Sequence, residues 1–202
     1  MKIVAATNNK HKLVELKTIL SQLGIEVLSA ADVGGIPDVV EDKDTFEGNA
    51  CKKAMESAAH LGMPVLSDDS GLCVEALDGR PGVFSARYGG PGLDDQGRCK
   101  KLMTELKDCD NRRAYFACVI ALADHNGQLI GSSMGKCLGH ISDEMKGEEG
   151  FGYDPLFIPT DYKKSFAELG EEIKNSLSHR KNALEKAISD GLFNKLKSSS
   201  PT

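Results

Sequence analysis

Ile3-Val4-Ala5-Ala6-Thr7-Asn8-Asn9-Lys10-His11-Lys12-Leu13 opens the chain, and its apolar run, residues 3 to 6, stops at a polar triplet. Beyond the triplet Leu13, Leu16, Leu20 and Leu23 recur at helical spacing, so the stretch reads as strand, polar loop, helix. A helix start presents unpaired backbone donors and the positive end of the helix dipole, and hydroxyl, amide and lysine side chains join them here. That is what a chain of phosphates needs. A plain helix cap accounts for Thr7, Asn8 and Asn9 too, because Thr and Asn are favoured caps. The glycine-rich pattern of a P-loop is absent, which excludes a kinase-type Walker site.

Working outward, Val27-Leu28 reads as a second strand and Gly34-Gly35-Ile36-Pro37 as a loop. Asp44-Thr45-Phe46-Glu47 has capping-box spacing, with Asp44 as N-cap and Glu47 at N3, and predicts a helix to about Leu61. Pro64-Val65-Leu66 predicts a buried strand entering Ser67-Asp68-Asp69-Ser70-Gly71, which reads as an acidic turn joining it to the alternating Leu72, Val74 and Ala76. Residues 78 to 97, rich in glycine, read as a long ordered loop, a kind that is often functional. Arg113 to Asp124 predicts a strand, Asn126-Gly127 a two-residue hairpin turn, and Gln128 to Ser133 the return strand. Gly147 to Gly152 breaks the chain before a short strand at Leu156-Phe157-Ile158. From Ser178, the spacing of Leu184, Ala187, Ile188, Leu192 and Leu196 predicts one terminal helix, with Ser198 to Thr202 as a frayed tail. No repeat or linker divides the chain, so residues 1–197 are expected to form one domain.

Composition narrows the function. The 202 residues are 40% hydrophobic and 27% charged, ordinary for a globular domain, and a chain of about this length buries roughly 70% of its unfolded surface without metal or disulfide staples. The 25 basic and 30 acidic residues leave a formal charge of −5, which argues against a broad surface for duplex nucleic acid and leaves small anionic ligands open. Six cysteines lack any Cys-x-x-Cys pair and read as reduced thiols. Met1 to Ala6 is too short for a signal peptide, and no run approaches the ~18 apolar residues of a membrane helix. The expected compartment is the cytoplasm, with no membrane partner.

Three further segments carry chemistry. Asp68-Asp69-Ser70-Gly71 supplies adjacent carboxylates that suit Mg²⁺ and proton acceptance from water, with Glu41 and Asp42 able to add a carboxylate; an acidic turn is the plainer reading. Phe151-Gly152-Tyr153-Asp154-Pro155 combines an aromatic face, a flexible backbone and a carboxylate, a set that suits a planar base, although core packing would equally explain Phe151. Lys174 with Ser178-His179-Arg180 forms a cationic group fit for phosphate or carbonyl oxygens, or an ordinary solvated helix end.

In order, the chain reads Thr-x-Asn-x-x-Lys from Thr7, Thr-Phe-x-x-Asn-Ala-x-x-Lys-Ala over 45–54, Ser-Asp-Asp-Ser-Gly-Leu from Ser67, Pro-Gly-Val-Phe-Ser-Ala-Arg-Tyr over 81–88, Phe-Gly-Tyr-Asp-Pro from Phe151 and Ser-His-Arg from Ser178. Across nearly its whole length this resembles the inosine triphosphate pyrophosphatase family, house-cleaning hydrolases of non-canonical purine nucleoside triphosphates. The resemblance implies a mixed α/β fold, with a long twisted central sheet and flanking helices forming two lobes around a nucleotide cleft, in a homodimer. It implies Mg²⁺-dependent hydrolysis of ITP, dITP or XTP to the monophosphate and pyrophosphate. Thr7, Asn8, Asn9, Lys10, His11 and Lys12 match the family's phosphate-binding loop, and Glu41 and Asp69 its metal carboxylates. Asp69 also matches the proposed general base, Ser70 a substrate contact, and Phe151, Gly152, Tyr153, Asp154, Lys174, His179 and Arg180 the nucleotide-binding positions. Asn8 stands where the family often has Gly. Asn49 and Lys53 match a motif without a role attached, and loop 78–97 matches as either site or dimer interface. A pyrophosphatase for modified pyrimidine nucleotides, a silent nucleotide sensor and a ligand-free α/β domain remain the competing readings.

Overall fold

A computed structural model describes residues 1–198. Its strands are β1 (Lys2–Ala5), β2 (Glu26–Leu28), β3 (Val65–Val74), β4 (Arg113–Ala123), β5 (Leu129–Ile141) and β6 (Phe157–Pro159), and they form one six-stranded sheet in the order β2-β1-β3-β4-β5-β6. β1 pairs parallel with β2 and β3, whereas β5 pairs antiparallel with β6. The sheet is therefore mixed. Asp124 joins β4 to β5: its Oδ1 accepts from the N–H groups of Asn126 and Gln128 at 2.9 Å each, and its own N–H donates to the Gln128 carbonyl at 2.9 Å. A connection this short makes the pair antiparallel, as the Asn126-Gly127 signal predicts.

The helices are α1 (Lys10–Ser21), α2 (Phe46–Leu61), α3 (Asp95–Glu105), α4 (Phe166–Leu177), α5 (His179–Ser189) and α6 (Leu192–Ser198). Among the described residues no helix is long and apolar enough to cross a membrane. The chain divides into two compact units, the first made of residues 1–69, 118–135 and 180 onward, the second of 70–117 and 136–179. Ile3, Leu16, Leu20, Leu66, Ile120, Leu122 and Leu184 centre the core of the first. Leu72, Val74, Leu102, Phe116, Phe157 and Phe166 centre that of the second, with the rings of Phe116 and Phe157 4.7 Å apart.

Four local expectations are corrected. Ser67 to Gly71 is no turn, because it lies wholly inside β3. Its polar side chains tolerate burial because each is partnered, as when Ser67 Oγ donates to the Ala50 carbonyl at 2.5 Å. Gly71 serves close approach: a Cβ there would come within 2.4 Å of the Gly82 carbonyl and Ser85 Oγ. The N-cap of α2 is Thr45, not Asp44; its hydroxyl accepts from Gly48 N–H at 3.0 Å, which leaves Glu47 outside the capping-box position, bonded to Ser132 at 2.6 Å. The predicted terminal helix is two, α5 and α6, separated at Gly191, whose φ is +71°. Ser198, expected in the tail, closes α6, and residues 199–202 lie outside the described residues. Sequence reading also passed over α4, although Ser165 and Glu168 form a complete capping box at its start.

Candidate active site

In the first unit the loop after β1 is built around Asn9. Its Oδ1 accepts from His11 N–H at 3.0 Å and Lys12 N–H at 3.3 Å, and its own N–H donates to Thr7 Oγ1 at 3.1 Å. Asn9 is thus the N-cap of α1 and occupies two of the donors a phosphate would otherwise use. Asn8, Lys10 and His11 are exposed around it, and Thr7 is half-buried. Lys12, in the first turn of α1, extends its ammonium to Asp68 Oδ2 at 2.8 Å.

Asp68 is 1% exposed and forms the centre of a charge cluster. Arg180, at the start of α5, donates to its Oδ2 from Nε at 3.2 Å and Nη2 at 3.1 Å, while Arg180 Nη1 reaches Glu15 Oε2 at 2.5 Å. Burial works against the Asp68 anion, but Lys12, Arg180 and Lys53 outweigh it and hold the carboxyl well below its usual range. Nearby, Cys118 Sγ lies 4.0 Å from Asp68 Oδ2, and burial with that charge pushes the thiol up to about 12, keeping it protonated. All six cysteines are unpaired. Glu15 escaped sequence reading because a glutamate on a helix looks like a solvated face; the one available signal is its place one turn after Lys12.

Successive residues of a strand point to opposite faces, so Asp69 turns away from Asp68. Asp69 Oδ2 accepts from Asn49 Nδ2 at 3.0 Å, and Asn49 Oδ1 accepts from Lys43 N–H at 2.9 Å. Glu41 Oε1 pairs with Lys53 Nζ at 2.5 Å. The open motif of Asn49 and Lys53 thereby acquires a structural account: each holds one of the two carboxylates. Burial pushes Asp69 up; Asn49 opposes the shift and the negative charge of Glu41 adds to it. Asp42 is engaged instead by Lys52 at 2.9 Å and Lys43 at 3.6 Å.

Among the described residues no three or more His, Cys, Asp or Glu side chains gather into a protein-only metal cage. Glu41 and Asp69 nevertheless suit Mg²⁺, which is commonly held by one or two carboxylates together with substrate phosphates. Their mutual repulsion is what a divalent cation would relieve. Ser70, half-buried, follows Asp69 in β3.

The second unit holds the aromatic loop. Asp154, 2% exposed, accepts from Phe151 N–H at 2.8 Å and Lys174 Nζ at 2.5 Å, both on Oδ2. The same ammonium sits 4.0 Å from the centroid of the Phe151 ring, which is 37% exposed and so does not serve as core. A half-exposed ring with a cation against it is suited to stacking with a planar group. Tyr153 points the other way: it is 4% exposed and its hydroxyl donates to the Ser85 carbonyl at 3.0 Å, so it anchors the loop. His179 is buried and stacks on Phe116 at 5.0 Å and 16°.

The chain belongs to the Ham1 family, whose model matches residues 3–190. It is 50% identical over 190 residues to a protein of Desulforamulus reducens named dITP/XTP pyrophosphatase, a match covering 93% of this chain and 94% of that one. A protein of the same name in Desulfotalea psychrophila is 48% identical over 182 residues, covering 90% and 81%. Among solved structures, a HAM1 protein from Coxiella burnetii superposes with a TM-score of 0.87 at 39% identity, over 96% of this chain and 99% of that one.

Proposed function

We propose that this chain hydrolyses non-canonical purine nucleoside triphosphates, namely ITP, dITP and XTP, to the monophosphate and pyrophosphate, with residues 1–197 acting as one pyrophosphatase domain. The observation that carries this reading is the pair Glu41 and Asp69, each held by its own partner, Lys53 and Asn49, in a chain half identical to a protein named dITP/XTP pyrophosphatase. Asp69 accepts the proton of the attacking water. Lys12 and the Thr7 to His11 loop offset charge on the triphosphate, and Ser70 contributes a substrate contact. Asp68 and Arg180 act on the same phosphates by holding Lys12 in place, because both are buried against it or its partner. Mg²⁺ on Glu41 and Asp69 would supply Lewis-acid charge neutralisation.

Base recognition falls to Phe151, Gly152, Asp154, Lys174 and His179, the first three on a turn that Tyr153 anchors. A stacked ring accepts any purine, so choice rests on polar groups at the base edge. A donor placed for O6 meets the 6-amino group of ATP donor to donor, at about 1 to 3 kcal/mol per mismatch, and two mismatches give a preference on the order of a hundredfold. A homodimer working in the cytoplasm completes the proposal.

The test is pyrophosphate release with Mg²⁺ from ITP, XTP, GTP and ATP, compared as kcat/KM. ITP and XTP are expected to exceed ATP by about a hundredfold. Equal values for ITP and ATP would refute the specificity, and no release from any purine triphosphate would refute the hydrolysis.

A further inference from the structure

The turn that presents Phe151 is held by discrete bonds from α3. Asp95 Oδ2 accepts from Gly152 N–H at 2.7 Å, and Cys99 Sγ, one turn along the helix, donates to the Gly152 carbonyl at 3.4 Å. Gly152 has a φ of +62°, a conformation that a side chain would strain, so the peptide needs an external hold. Packing supplies little of it on this side: an open groove of about 420 Å³ borders the turn, lined by Cys99, Met145, Gly150, Phe151 and Pro155 among others.

Asp95 is not consumed by helix capping. The N-cap of α3 is Asp94, whose Oδ1 accepts from Gly97 N–H at 2.7 Å. The other oxygen of Asp95 pairs with Arg98 Nη2, and Arg98 Nη1 donates to the Leu93 carbonyl at 2.5 Å, so the carboxylate is aimed before it meets the turn. Burial near Asp95 and Asp154 pushes Cys99 up to about 12, and its thiol stays protonated as a donor.

We propose that Asp95, with Cys99 behind it, is a positioning residue for base recognition: it grips the Gly152 peptide and so sets where the Phe151 ring and the Asp154–Lys174 pair stand. The proposal rests on the reading that Phe151 to Asp154 take the base. A charge-assisted bond to a backbone N–H is among the stronger hydrogen bonds, and its loss loosens the turn and leaves Asp69, Glu41 and Lys12 in the other unit untouched.

The experiment compares wild type, Asp95→Ala and Asp95→Asn, with Asn retaining an acceptor for Gly152 N–H. Asp95→Ala is expected to raise KM for ITP about tenfold with kcat within about threefold, and to narrow the ITP-to-ATP ratio, while Asp95→Asn recovers most of the KM. Hydrogen exchange across residues 150–154 should quicken in Asp95→Ala by about tenfold. An unchanged KM in an active Asp95→Ala overturns the proposal, as does a fall in kcat at constant KM with a lowered Tm, the mark of a merely structural role. If Asp95→Ala fails to fold, Asp95→Ser, whose hydroxyl is too short to reach Gly152 N–H, decides in its place, a KM and an exchange rate equal to those of wild type being the adverse result. Wild type that does not turn over ITP removes the base reading itself, and this proposal with it.

Discussion

The two units treat charge and backbone in opposite ways. In the first, Asp68 and Asp69 stand in the middle of a ten-residue strand and their partners come from helices α1, α2 and α5. In the second, Phe151 to Asp154 lie on a turn with a left-handed glycine, whose N–H donates to Asp95, and with single hydrogen bonds donated by Tyr153 and Lys174. Groups that must hold a fixed geometry against a reacting phosphate gain from a strand that cannot move without breaking its ladder. A loop that receives a base can be re-aimed by small changes, and loops are where binding specificity is commonly built.

The contrast breaks most sharply at Asp69. Asp69→Asn is expected to abolish turnover by at least about 10² to 10⁴, since an amide neither accepts the proton nor binds metal well. Circular dichroism should show the fold intact, and a variant with more than a tenth of wild-type kcat at saturating Mg²⁺ would remove Asp69 from its proposed role.

Asp68→Ala tests the buried cluster as structure. It strands Arg180 and Lys12 beside each other without their shared anion, and a broken buried pair costs about 3 to 5 kcal/mol. Urea unfolding measures this; a loss below about 1 kcal/mol would show that the cluster is loosely held.

Lys12→Ala is expected to lower kcat/KM for ITP by about tenfold to a hundredfold, the worth of one charge-assisted contact, with less effect on inhibition by IMP. Equal weakening of ITP and IMP would place Lys12 away from the β and γ phosphates.

The smallest effect belongs to the aromatic turn. Tyr153→Phe removes one buried hydrogen bond to Ser85 and should cost about 1 kcal/mol of stability with little change in kcat. A large fall in kcat would move Tyr153 from anchor to reacting chemistry.

Much of the proposed site is legible as residue types in order. Thr7 to Lys12, Asp69, Phe151 to Asp154 and Lys174 could be named because strand-to-helix junctions, paired carboxylates and Gly-flanked aromatics are local patterns. What Arg180 does was not legible: its guanidinium meets Asp68, 112 positions away in the chain, rather than solvent at a helix end. The same holds for Asn49, which reaches Asp69 across 20 positions, and for Asp95, which reaches Gly152 across 57.

The sequence by itself determined the strand-loop-helix opening, the hairpin at Asn126-Gly127 and the Ham1-type series of motifs, because each depends on periodicity or turn chemistry within a few residues. Tertiary structure decided that Ser67 to Gly71 is extended. Four of its five residues are polar or charged, and a local reading assigns such a run to a turn; only the partners supplied by Ala50, Lys12, Arg180 and Asn49 make burial in the middle of β3 tolerable. A buried charge is stable only where its counter-charges converge, and that convergence depends on segments far apart in the chain.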